Sequence, residues 1–320
     1  MLAAPLVLLC YVAVAGTLGA WVLRRAHWPH RAPRLAVLTW QALSVSILLA
    51  LVLAGLGLWM PEGAWNADLA AVVHLCEETI RGGITAPADA LVHLLGIVTA
   101  VAVTVRAGLA LVAELRRARR EARRHGELLR LAATPHPRLG AMVLDHPVAA
   151  AYCLPGPAGD VVLTSAALRL LDTQELAAVL AHERTHLRER HHLVAAVARA
   201  VERTIPWLPA ARTARREQER LVEMIADDAA ARLADRHAVA RAVVRLAEGV
   251  APRAALGATD VAAAQRVQRM LGDARALGPA GRVTVALAAA LVAAAPLLIA
   301  AAPALTAMHA TYCLIGEMTT

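Results

Sequence analysis

Four apolar runs stand out along the chain, at about 2–23, 36–58, 88–110 and 283–305. Each is close to the roughly 20 residues that an α-helix needs to cross a bilayer, so each predicts a membrane-spanning helix. The first has no basic stretch before it and Arg24 and Arg25 directly after it, which reads as a retained anchor rather than a cleaved signal. Pro296 predicts a kink in the fourth. Arg106 sits near the end of the third, where a long side chain reaches the interface and the helix is expected to run on into the basic stretch beyond. Between the third and fourth runs the pattern changes. Residues 149–154 read as a short strand ended by Pro155-Gly156-Pro157, and Asp160–Thr164 as a second. Asp172-Thr173-Gln174-Glu175 reads as a capping box that opens a helix, and 212–233 is a further helical stretch. The expected division is a membrane domain over 1–114 with three spans, an inserted domain over 115–280, and a fourth span with a short tail over 281–320.

Composition agrees with the spans. Hydrophobic residues are 58% of the 320 and the mean hydropathy is +0.53, above what soluble domains show. The chain has no Phe, and its 33 basic residues are all Arg. The net charge of +8 sharpens the picture through its distribution. Arg24, Arg25, Arg31 and Arg34 follow the first run, and Arg116, Arg117, Arg119, Arg120, Arg123 and Arg124 follow the third. Basic loops stay cytoplasmic. The acidic segment with Glu62, Asp68, Glu77 and Glu78 then faces outward. The expectation is a multi-pass plasma-membrane protein with both termini outside and residues 115–280 in the cytoplasm. Direct nucleic-acid binding is not expected, because aromatic residues are only 3% and stacking groups are scarce.

The chemistry concentrates in His182-Glu183-Arg184-Thr185-His186. Histidines at i and i+4 sit one turn apart on a helix face, so both rings reach one Zn2+ ion, and the Glu between them is placed to act as general base. A catalytic zinc takes three protein ligands. Two readings of Glu223 stand at this point: the third ligand, or a surface partner of Arg215, Arg216 and Arg220. Asp227, one turn on, is placed to accept a proton from a ligand imidazole. His237, Arg266 and Arg269 are candidates for stabilising a developing oxyanion. His191 and His192 are read as solvated rather than as ligands. The four cysteines include no C-x-x-C pair, so a thiolate zinc site is not expected. Cys76 and Cys313 both fall on the expected outer side, where disulfides persist, and are read as a pair. His74 and His309 nearby leave an external metal site as a lesser alternative.

Residues 149–228 resemble the BlaR/MecR-type membrane metallopeptidases, the antibiotic-sensor transducers, and are more distantly similar to the HtpX-type and CAAX prenyl endopeptidases. The resemblance runs through the strand before Pro155, Val161 to Ser165, the Glu175–Ala181 approach to the histidine motif, the turn Ile205-Pro206-Trp207-Leu208-Pro209, and Glu223-Met224-Ile225-Ala226-Asp227. It implies a small α+β zincin domain of gluzincin type between spans three and four of a mainly α-helical membrane protein. It implies that Glu223 ligates the zinc and that Asp227 orients a ligand. It also implies an endopeptidase in regulated proteolysis, with a protein substrate such as a BlaI/MecI-type winged-helix repressor. A housekeeping HtpX-like protease and a non-enzymatic scaffold are the alternatives. The intact His182, Glu183, His186 and Glu223 speak against the scaffold. The sensors carry a penicillin-binding domain after the fourth span, whereas this sequence ends at Thr320, so direct β-lactam sensing is not expected.

Overall fold

A computed structural model of the chain describes residues 3–59, 87–156, 159–250, 258–272 and 276–318. Four helices among them are long and apolar enough to cross a membrane: Ala3–Arg25, Pro33–Trp59, Ala90–Ala132 and Pro279–Ala302. The first, α1 (Ala3–Arg25), carries a π turn over Ala15–Gly19. A single 3₁₀ turn, Trp28–Arg31, leads to α2 (Pro33–Trp59). The third, α3 (Pro87–Ala132), runs unbroken past residue 114 and carries the basic stretch as a polar extension of the apolar span. The last, α10 (Pro279–Met318), passes through Pro296 without a break in the helix. Cys76 and the Cys313 side chain lie outside the described residues, and the pairing expected of them with it.

The second span is the most enclosed, with Trp40, Ile47, Ala50 and Ala54 buried. Leu6, Leu9 and Leu18 of α1, and Leu91, Leu94 and Leu109 of α3, are exposed, as lipid-facing residues are. At one point α2 and α3 approach closely. A Cβ on Gly55 would lie 2.6 Å from the Gly96 carbonyl oxygen, and a Cβ on Gly96 equally close to that of Gly55. Small residues let membrane helices pack backbone to backbone. A Gly55→Val variant must therefore push the helices apart. It is expected to lose about 1–3 kcal/mol, seen as a lower thermal midpoint of the purified protein in detergent.

Between α3 and α10 the described residues form a small mixed sheet and six helices. The strands are β1 (Ala133–His136), β2 (Ala141–Leu144), β3 (Ala151–Leu154) and β4 (Asp160–Thr164), in the order β1-β2-β4-β3. Only the β2–β4 pair is parallel. The alternation of β4 decides how the sheet is used. Val161 and Leu163 face a core built with Val179 and Leu180. Val162, between them, faces Leu129 at the end of α3. The strands expected at 149–154 and 160–164 are thus present, the first beginning at Ala151, and β3 lies at the sheet edge.

The helices are α4 (Ser165–Leu170), α5 (Thr173–Arg188), α6 (His191–Thr204), α7 (Pro209–Leu233), α8 (Arg236–Val250) and α9 (Ala258–Leu271). The capping box is formed: Asp172 accepts from the Gln174 and Glu175 amides, and Glu175 accepts from the Asp172 amide. Glu175, fully buried, is also paired with Arg241 and Arg245 of α8.

The inserted region packs on the spans rather than hanging from them. Leu208, in the turn between α6 and α7, sits where a Cβ on Gly16 would lie, 2.9 Å from its Cδ1. One apolar core joins Leu8, Trp40 and Ile47 of the spans to Ile205, Leu221 and Ile225. Arg106 does more than reach for the interface. Its guanidinium donates to the carbonyls of Arg203 and Thr204, satisfying the C-terminal end of α6, where unpaired carbonyls gather. Glu114 of α3 is buried between Arg199 and Arg203.

Candidate metal centre

α5 and α7 cross so that one turn of each faces the other. His182 and His186 come from α5 and Glu223 from α7. Their donor atoms lie within 4.8 Å of one another. His182 Nε2 is 3.0 Å from His186 Nε2 and 3.4 Å from Glu223 Oε2, and His186 Nε2 is 3.5 Å from Glu223 Oε1. Ligands about 2.0–2.1 Å from a tetrahedral ion stand about 3.3 Å apart. The three residues therefore fit zinc in spacing as well as in donor chemistry, which is that of a catalytic two-histidine, one-carboxylate site.

The surroundings orient these groups. Asp227, fully buried, accepts from His182 Nδ1 at 3.0 Å, leaving Nε2 for the metal side. Arg266 of α9 grips Asp227 through two bonds, of 2.9 and 2.6 Å, and stands 3.4 Å from Glu223. Burial penalises the His182 imidazolium, yet the bonds to Asp227 and Glu223 outweigh it and push its pKa up to about 9. The same cluster holds Glu223 and Asp227 down to about 2 against their own burial. His186 is half-buried, and there desolvation outweighs the attraction of Glu223 and pushes its pKa down to about 4. A set that holds a proton so firmly between carboxylates has the field for a divalent cation.

Those shifts fix how the metal-free protein responds to pH. Glu223 and Asp227 ordinarily titrate at 4.5 and 3.8. Their lowered values contribute stability above that range, lost as pH falls through about 2. His182 ordinarily titrates at 6.5, and its raised value contributes stability lost as pH rises through about 9. His186, lowered from 6.5 to about 4, costs stability as pH falls through that interval, so metal-free protein is expected to melt highest near pH 6.5, with falling midpoints on both sides. The alkaline slope should flatten in Asp227→Asn. Scanning calorimetry after chelation and dialysis checks both.

Glu183, one residue on from His182 along α5, is turned towards β3. Burial pushes its carboxyl up, against the pull of His182. The Cys153 thiol of β3 donates to it, and burial together with that carboxylate raises the thiol to about 12. Cys153 carried no distinguishing signal in the sequence beyond its place in an edge strand.

Residues 114–274, half of the chain, match the description Peptidase family M48. The chain belongs to peptidase family M48. No curated protein and no solved structure matches it. Membership supports a membrane-type zinc metallopeptidase in general, and the M48 match spans the whole His182, His186 and Glu223 cluster.

Within this M48 chain the other expected residues separate clearly. Of the three oxyanion candidates, Arg266 lies at the site. Arg269 is paired with Asp228 and the His30 carbonyl. His237 is exposed beside Asp235. His191 corrects the expectation of a solvated side chain. It is buried, with its Nδ1 2.8 Å from His186 Nδ1. The sequence hid this because the run Arg188-Glu189-Arg190-His191-His192 looks like a polar surface. The reversal is made by Arg190, at φ 52° in the left-handed region, which breaks α5 and turns His191 back towards the metal face.

Proposed function

We propose that this chain is a membrane-embedded zinc endopeptidase in which His182, His186 and Glu223 hold the ion and Glu183 is the general base. The observation that carries the reading is the three-donor cluster, with Glu183 pointing between it and the open edge of β3. A zinc ion bound there supplies a Lewis acid and an activated water. Glu183 takes the proton of the attacking water and passes it to the leaving amine, a task suited to a carboxylate whose pKa is raised by burial. Asp227 and Arg266 keep the His182 ring turned so that Nε2 faces the donors. β3 has a free edge among the described residues, and an extended substrate segment pairs with it by β-addition, placing its scissile bond over Glu183.

The substrate in this proposal is a protein whose cleavage transmits a signal, of the kind the BlaR/MecR resemblance implies, such as a winged-helix repressor. The peptidase then lies on the cytoplasmic side with both termini outside. Support comes from the contacts that seat α6 and the turn before α7 on the spans through Arg106, Glu114 and Leu208, which suit transmission from the membrane. One observation favours a second reading, housekeeping cleavage of membrane proteins: the turn carrying Leu208 packs against Gly16 inside the first span. Comparing new protein N-termini in cells carrying wild type or Glu183→Gln decides between them. Products confined to a soluble DNA-binding protein support the first. A spread of membrane-protein fragments supports the second, and no wild-type-dependent product defeats both.

A further inference from the structure

We infer that His191 is a positioning residue for the metal ligand His186, and that it joins the metal centre, through Glu189, to Arg34 at the start of the second span. The inference rests on the zinc reading above and goes beyond it. His186 turns Nε2 towards His182 and Glu223, so its outer nitrogen, Nδ1, faces away from the donor cluster. An imidazole that ligates through Nε2 carries its proton on Nδ1. That proton needs an acceptor, and His191 Nδ1 stands 2.8 Å away.

Accepting there fixes the state of His191 in turn. Its own proton must sit on Nε2. That atom is buried without a hydrogen-bond partner among the described residues. The nearest carboxylate oxygen is Oε2 of Glu189, at 3.8 Å. A small shift of Glu189 closes that gap and completes a chain of donors from ligand to carboxylate. Glu189 is not free to choose, because the Arg34 guanidinium holds both its oxygens, with Nε at 3.1 Å from Oε2. Arg34 lies in the first turn of α2, the most enclosed span. The carboxylate is thus shared between a span and the residue that orients a ligand.

The backbone supports the assignment. Arg190 adopts a left-handed conformation, which is disfavoured for a residue with a side chain because its Cβ crowds the following carbonyl oxygen. This conformation starts α6 at His191 and sets the His191 ring edge-to-face on that of His186, with centroids 4.8 Å apart. Strain of this kind persists where its surroundings require it and gathers at functional sites. On the opposite flank, Asp227 does for His182 what His191 does for His186. The two ligands are therefore oriented by different chemistries, one by an anion and one by a neutral ring.

The test uses the full chain in lipid nanodiscs. Zinc affinity is read by competition with a chromogenic chelator, and ligand geometry by the visible spectrum after Co2+ substitution. His191→Leu keeps bulk but removes the acceptor, and it is expected to weaken zinc about 10–100-fold and to shift the cobalt bands. His191→Asn, whose side-chain oxygen can stand in for Nδ1, should restore most of both. Arg34→Gln should weaken zinc in the same direction by a smaller factor. Unchanged zinc affinity in His191→Leu overturns the inference. So does an Asn variant as weak as Leu, which would mean packing alone. Unchanged affinity in Arg34→Gln removes the span from the chain of contacts. A wild type that binds no zinc would instead sink the active-site reading itself.

Discussion

Glu183→Gln is expected to bind one zinc with wild-type affinity and to cleave peptide about 10²–10⁴-fold more slowly, the usual worth of a positioned general base. The substitution keeps shape and removes only the ability to take a proton. Glu183 is not among the three donors of the cluster, so metal content should not change. The Cys153 thiol still finds an oxygen acceptor in the Gln side chain, so β3 should stay in place. Metal analysis and single-turnover cleavage on the same preparation check the two halves together. Loss of zinc along with activity would mean that Glu183 helps to hold the ion. Full activity would remove it from the mechanism.

Glu223→Ala should act on the other half of the site. It is expected to weaken zinc by at least about a thousandfold, because a unit charge pair at about 4 Å near a protein surface is worth about 4 kcal/mol. The neighbours make the loss worse. Arg266 stands 3.4 Å from Glu223, and without that carboxylate its charge faces an incoming dication with less to offset it. Activity should fall to background at ordinary zinc levels. Dialysis against a weak chelator followed by elemental analysis reads the effect. Because Asp227 still pairs with Arg266, the fold should survive, and an unchanged far-ultraviolet spectrum would show it.

What the sequence disclosed follows the range over which each signal acts. The spans, the capping box at Asp172 and the facing of His182 and His186 are set within a few turns of helix, and periodicity reports them. β4 was legible because Val161, Val162 and Leu163 form a β-branched and apolar run between turn signals. β1 was not. It is four residues containing Pro135, an amino acid tolerated at sheet edges and otherwise read as loop. Long-range partners were equally silent. Arg266 meets Asp227 from 39 residues away and Arg34 meets Glu189 from 155, and no local pattern records either. The ligand role of Glu223 was open on pattern and became the expected one only through resemblance, because its helix is rich in competing Arg and Glu. His191 was misread because a left-handed backbone at an Arg is not a propensity that a polar run announces.

The rod formed by α7 has a consequence for reach. Its Leu208 end rests against Gly16, well inside the first span. Farther along, Glu217, Arg220 and Met224 line one small cavity with Leu23, Arg24 and His30, where that span ends. At about 1.5 Å per residue the helix rises on the order of 20 Å from that anchor to Glu223. Glu223 is the neighbour of Met224, so the helix works as a depth gauge that holds the three donors near the level where the first span ends. On the function proposed above, a peptide bond is expected to come to that level to be cut, and a folded domain held away from it is expected to stay uncut unless a flexible segment of it reaches down.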